Sequence, residues 1–83
     1  MGYYVYVLRS QKDNRFYTGM TKNLEKRIKD HNNGRVDSTK SRTPLDLIHV
    51  EKVEDRKAAR VREKYWKSGA GREKISRPAY GQV

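Results

Sequence analysis

The sequence predicts an α+β fold in the order β-β-α-β-α, closed by a short C-terminal helical turn, and three observations carry that prediction. Two runs rich in aromatic and β-branched residues, 3–9 and 15–20, are separated only by a polar turn cluster. Two later stretches carry apolar residues at helical spacing. Between them a third run, 45–51, alternates as a strand does.

The first two runs predict an antiparallel hairpin, because Ser10-Gln11-Lys12-Asp13-Asn14 is turn chemistry and the gap is short. On the first strand Tyr4, Tyr6 and Leu8 share one face, and Tyr3, Val5 and Val7 the other. A short amphipathic helix follows. Residues 21–23 supply capping groups, Leu24 and Ile28 lie four apart, Glu25 sits in the first turn, and Asn32-Asn33-Gly34 ends the pattern. Residues 34–44 are Gly, Ser, Thr, Asp and basic residues closing on Pro44, which reads as a mobile loop accessible to DNA. After the third strand, Glu54-Asp55 precede Ala58, Ala59, Val61, Tyr65 and Trp66, a second and longer helix stopped by Ser68-Gly69. The remaining residues read as a basic helical turn and a frayed end.

With 83 residues, one domain spanning 1–83 with a core over about 3–74 is the economical reading. Twenty lysines and arginines against 10 acidic residues give a formal net charge of +10, which points to a polyanionic partner: nucleic acid, an acidic membrane surface or an acidic protein tail. The absence of cysteine excludes a disulfide framework, a thiol nucleophile and a thiolate zinc site, and fits a reduced cytoplasmic setting. No secretory or myristoylation pattern opens the chain, and the longest apolar stretch is too short to cross a bilayer.

On the first helix, positions 24, 27, 28 and 31 fall within a sector of roughly 100°, so Arg27 and His31 flank the Leu24/Ile28 stripe and point toward the hairpin. Each has an ordinary role available, His31 as a satisfied half-buried side chain and Arg27 as a rim charge whose stem lies on apolar surface. Glu63, near the apolar face of the second helix, can be a surface partner of Lys67 at i+4, or the single protein ligand of Mg²⁺ or Mn²⁺. The strand tyrosines suit core packing, cross-strand pairing or stacking on single-stranded bases. His49 reads as structural.

Tyr4-Val5-Tyr6 on the first strand, Tyr17-Thr18-Gly19 on the second, then Arg27, His31 and Glu63 on successive helices, resemble the GIY-YIG nuclease superfamily. The similarity spans residues 3 to about 74 and is strongest to small stand-alone bacterial members like the excinuclease C N-terminal domain. Residues 23–27 and 67–73 strengthen the placement. The first triplet is Tyr-Val-Tyr where the family motif has Gly-Ile-Tyr, yet both tyrosines at the reacting positions are present.

The resemblance implies a three-stranded antiparallel sheet flanked by helices, and a DNA endonuclease using one Mg²⁺ or Mn²⁺ ion held by Glu63. It implies Tyr17 as general base, Arg27 as the charge-stabilising group, and Tyr6 and His31 orienting water and phosphate. A free phenol has a pKa near 10, so such a base needs cations beside it. One carboxylate and one site imply nicking of one strand at a time, on branched, damaged or single-stranded DNA in repair or recombination, by a monomer without a membrane partner. The alternative is a module of the same fold that binds nucleic acid without cutting it.

Overall fold

The computed structural model describes residues 2–76, and the expected frayed end falls on 77–83, outside the described residues. The elements are β1 (Tyr3–Ser10), β2 (Phe16–Thr21), α1 (Leu24–Asn32), a single 3₁₀ turn (Lys40–Arg42), β3 (Leu45–Val53), α2 (Arg56–Lys67) and α3 (Gly69–Ile75). The three strands form one antiparallel sheet in the order β2-β1-β3.

The central place goes to the most apolar strand. Val5, Tyr6, Val7 and Leu8 are all essentially inaccessible, because β1 is covered on both edges and both faces. The alternation read from the sequence divides the core in two. Val5 and Val7 pack with Ala59, Trp66 and Ile75 beneath α2 and α3, whereas Tyr6 and Leu8 pack with Leu45, Tyr17, Leu24 and Ile28 beneath α1. Pairing of Leu8 with Tyr17 and of Tyr6 with Gly19 places Tyr17 on the α1 side of β2, and leaves β2 as a sheet edge.

Both long helices are capped as the sequence indicates. The Asn23 side chain accepts from the Lys26 amide, and the Asp55 carboxylate from that of Ala58. Ser68 closes α2 and also starts α3, its hydroxyl accepting from the Gly71 amide. The expected C-terminal turn is thus a seven-residue helix. Gly71 is what lets it fold back: a Cβ there would collide with the Tyr65 carbonyl oxygen and lie 2.8 Å from Trp66 Cα.

The segment 34–44 departs from the free loop expected of its composition. The Ser10 hydroxyl donates to the Arg42 carbonyl at 2.6 Å, the Gln11 amide to that of Pro44 at 2.9 Å, and Thr39 is fully buried. Its far end is fixed to α1 by the Asn32 side-chain amide, which pairs with both the amide and the carbonyl of Leu45. Buried backbone groups need such partners, and the hairpin turn supplies them. His49 is held between Glu51, at 3.0 Å, and the Trp66 ring, at 4.3 Å between centroids, in keeping with a structural role.

Candidate active site

The α1 side of the sheet gathers four polar side chains that a small apolar core has no packing reason to collect. Tyr6 on β1 points toward β2, its hydroxyl directly over Gly19; a Cβ at that glycine would come within 2.5 Å of Tyr6 Oη and 3.1 Å of Tyr17 Cε1. Gly19 is therefore a requirement of space, since the backbone there is ordinary strand. Tyr17, two residues earlier, lies on the same face, its ring centroid 6.4 Å from that of Tyr6 and 4.9 Å from that of His31.

His31, one turn beyond Arg27 on α1, is completely buried and bonded at both ring nitrogens: Nε2 lies 2.9 Å from Tyr6 Oη, and Nδ1 2.8 Å from Thr39 Oγ1. Burial, reinforced by the Arg27 charge, lowers its pKa to about 4, so near neutral pH the ring carries one N–H. Burial also raises the Tyr6 phenol above its usual value, against the opposing pull of a hydrogen bond with Arg27, and the Tyr17 and Glu63 charges push it further up. Tyr6 thus keeps its proton.

These protonation states assign the direction of the network. The Arg27 guanidinium donates to the oxygen of Tyr6, an interaction that holds Arg27 firmly protonated. The Tyr6 O–H then has His31 Nε2 as its acceptor, which puts the imidazole proton on Nδ1, donating to Thr39. Tyr17 is also near enough for the Arg27 charge to feel it, so one cation stands beside both tyrosines. Tyr17 differs from Tyr6 in exposure: it is half-buried and lines a cavity of about 610 Å³ along the outer edge of β2, with Asn14, Arg15, Phe16, Thr18, Arg42, Lys67 and Arg72.

Glu63 reaches this group from the other layer. It lies on α2 beside Ala59 and Trp66, its side chain only 24% exposed, with Lys67 Nζ 3.5 Å from the carboxylate. Its connection to the four residues is electrostatic, through the negative charge felt at Tyr6. The structure therefore brings Tyr6, Tyr17, Arg27 and His31 into contact, and Glu63 within range of them as a charge.

Among the described residues no group of three or more His, Asp or Glu side chains converges, so a closed metal cage is not built. A lone carboxylate fits a different arrangement, in which Mg²⁺ keeps several waters and takes phosphate oxygens from its substrate. Glu63 suits that donor set; Lys67, which shares the carboxylate, has a flexible stem and can move aside. Sequence reasoning missed Thr39, and named Gly19 only as part of the second triplet. Thr39 sits in a tract of turn formers and only the path of that tract shows its partner, whereas the close approach at Gly19 follows from placing Tyr6 opposite it.

The family model described as the GIY-YIG catalytic domain matches residues 2–76. A UPF0213 protein of Clostridium perfringens is 45% identical over 73 residues, a match covering 87% of this chain and 77% of that protein. Another, from Syntrophus aciditrophicus, is 40% identical over 74 residues, covering 87% and 84%. The solution NMR structure of a UPF0213 protein from Bacillus halodurans aligns with a TM-score of 0.58 at 28% identity, over all of this chain and 95% of that one. No helix among the described residues is long and apolar enough to cross a membrane. With nearly the whole chain matched by the family model, and the sheet and helices matched by the solved relative, the chain belongs to the GIY-YIG catalytic domain family.

Proposed function

We propose that this chain is a metal-dependent DNA endonuclease of the cytoplasm that acts as a monomer and nicks one strand of branched or damaged DNA in repair or recombination. The observation that carries the reading is the gathering of Tyr6, Tyr17 and the Arg27 charge, with Tyr17 at the wall of a cavity lined with cations. Two phenols and a guanidinium are an unusual set to assemble for packing alone, and they provide a proton acceptor and a fixed positive charge side by side.

The roles follow from exposure and bonding. Tyr17 faces the cavity and is the residue able to meet a water molecule; as phenolate it accepts one water proton while the water oxygen forms a bond to phosphorus. The P–O3′ bond breaks, and its electron pair leaves with O3′, which takes a proton from solvent. Tyr6, kept neutral by burial, holds Arg27 in register instead of exchanging protons. Arg27 meets the charge gathering on the non-bridging oxygens. Glu63 would hold one Mg²⁺ or Mn²⁺, which when bound supplies Lewis-acid stabilisation of the phosphate and the departing oxygen.

The test is nicking of supercoiled plasmid and of a branched oligonucleotide by purified protein with Mg²⁺ or Mn²⁺, with EDTA as control. Tyr17→Phe should lose roughly 10²–10⁴-fold in rate, as expected for removal of a general base. Glu63→Gln, which keeps shape and removes charge, should lose nicking while retaining DNA binding. One observation favours a second reading, a module that binds without cutting: the Glu63 carboxylate is already engaged by Lys67. Intact substrate with wild type under every metal condition, together with a clear gel shift, would decide for that module.

A further inference from the structure

The cavity beside Tyr17 has a composition that the cleavage step does not explain. Its lining carries Arg15 from the hairpin turn, Arg42 from the 3₁₀ turn, Lys67 from the end of α2 and Arg72 from α3, and no carboxylate. Four cations from four separate segments facing one space repel one another, and that arrangement is relieved by a bound polyanion. The carboxylates that moderate them stand outside the lining: Glu63 pairs with Lys67, and the exposed Asp13 feels the charges of Arg42 and Arg15. Arg15 and Arg72 make no ion pair among the described residues, and both are exposed.

Two aromatic rings, Phe16 and Tyr17, complete the wall. Cations that track a backbone together with aromatic faces for bases are the chemistry of single-strand binding. The dimensions agree. A volume near 610 Å³ is that of a small-ligand pocket, which suits a few groups of one strand and not both strands of a duplex.

We infer that the cavity along the free edge of β2 holds the sugar-phosphate backbone of single-stranded DNA next to the position that is cut. The inference deepens the nuclease reading by naming its substrate as an unpaired strand, such as a flap or a gap, and its test is independent of cleavage. Binding of a short fluorescein-labelled oligothymidylate is followed by anisotropy in EDTA across a salt series, for wild type, Arg15→Gln/Arg72→Gln and the control Arg56→Gln/Arg60→Gln. The control removes equal charge from the outer face of α2, away from the cavity.

Each phosphate neutralised on a single strand contributes about −0.7 to the slope of log K against log salt, so the cavity variant should be shallower by about 1.4 and about 25-fold weaker near 0.1 M salt. The control should change little, and Arg15→Lys/Arg72→Lys should recover most of the slope. A duplex of matching sequence should bind more weakly than the single strand and be less sensitive to the cavity variant. Equal losses from cavity and control variants would overturn the inference, as would equal sensitivity of duplex and single strand. Displacement of the oligonucleotide by inorganic phosphate at matched phosphate concentration would also overturn it, since the site would then hold an isolated anion. Failure of plasmid nicking leaves these arms unaffected, so the two readings fall separately.

Discussion

Thr39 shows how far a buried histidine depends on a residue from a distant loop. Its hydroxyl accepts the Nδ1 proton of His31, and that fixes Nε2 as the acceptor for Tyr6. Thr39→Val keeps the shape and leaves a buried N–H without a partner, so it should cost about 1–3 kcal/mol in urea unfolding, with Thr39→Ser recovering most of the loss. The ¹⁵N shifts of the ring should report loss of the Nδ1–H tautomer in the valine variant and its retention in the serine one. His31 also gives a pH dependence with a definite sign. Its folded pKa of about 4 lies below its unfolded 6.5, so between these values the unfolded chain binds the extra proton. The stability tied to neutral His31 is complete above about pH 6.5 and is lost as pH falls to about 4, on the order of 3 kcal/mol in all. The same unfolding curves for His31→Gln should lack that slope; an unchanged slope would show that other groups cause it. Arg27 and His31 were legible as side chains turned toward the hairpin because helical spacing sets them beside the Leu24/Ile28 stripe, whereas grouping Tyr6 with them rested on the family resemblance. Thr39 was not, because its position depends on the course of a loop.

At the scale of elements, the docking of α3 rests on a single missing methyl group. Ser68 begins the helix and Ile75 buries its apolar end, but the approach is set by Gly71 against the backbone of Tyr65 and Trp66. Gly71→Ala improves intrinsic helix propensity by up to about 1 kcal/mol, yet the clash is with backbone, which cannot rotate away as a flexible side chain can. The steric effect should win, with net destabilisation of about 1–3 kcal/mol in chemical denaturation and retained far-UV signal at low denaturant. Gly69→Ala, where the new methyl meets nothing within 4 Å, should be neutral or stabilising. This pair explains why α3 was hard to read beforehand. Gly69-Ala70-Gly71 looks like a helix terminator, and only the tertiary contact reveals that one glycine makes room while the other is incidental. The hairpin and α1 were readable because their signals, alternation and the Asn23 cap, are local. The bounds of β3 extend to Val53 because pairing with Tyr3 continues beyond the alternating stretch.

For the whole molecule, the governing facts are one Tyr17, one Glu63 and a net charge of +10. In the proposed nuclease the charge recruits DNA without regard to sequence, so encounter should be fast and strongly salt-dependent, while the chemistry waits on a single site. On the proposed reading, one site cuts one strand. On supercoiled plasmid the proposed monomer should therefore convert substrate to open circles first, with linear DNA appearing only after a second, independent nick opposite the first. The time course should show open circles accumulating, a lag before linear product, and an initial rate proportional to protein concentration while substrate is in excess. Two copies cutting in concert would behave differently, because both strands would open within one encounter and the rate would rise with the square of concentration at low protein. Linear DNA appearing without a lag, at a rate of second order in protein, would therefore assign the cutting unit to a dimer and leave the residue roles within each copy untouched.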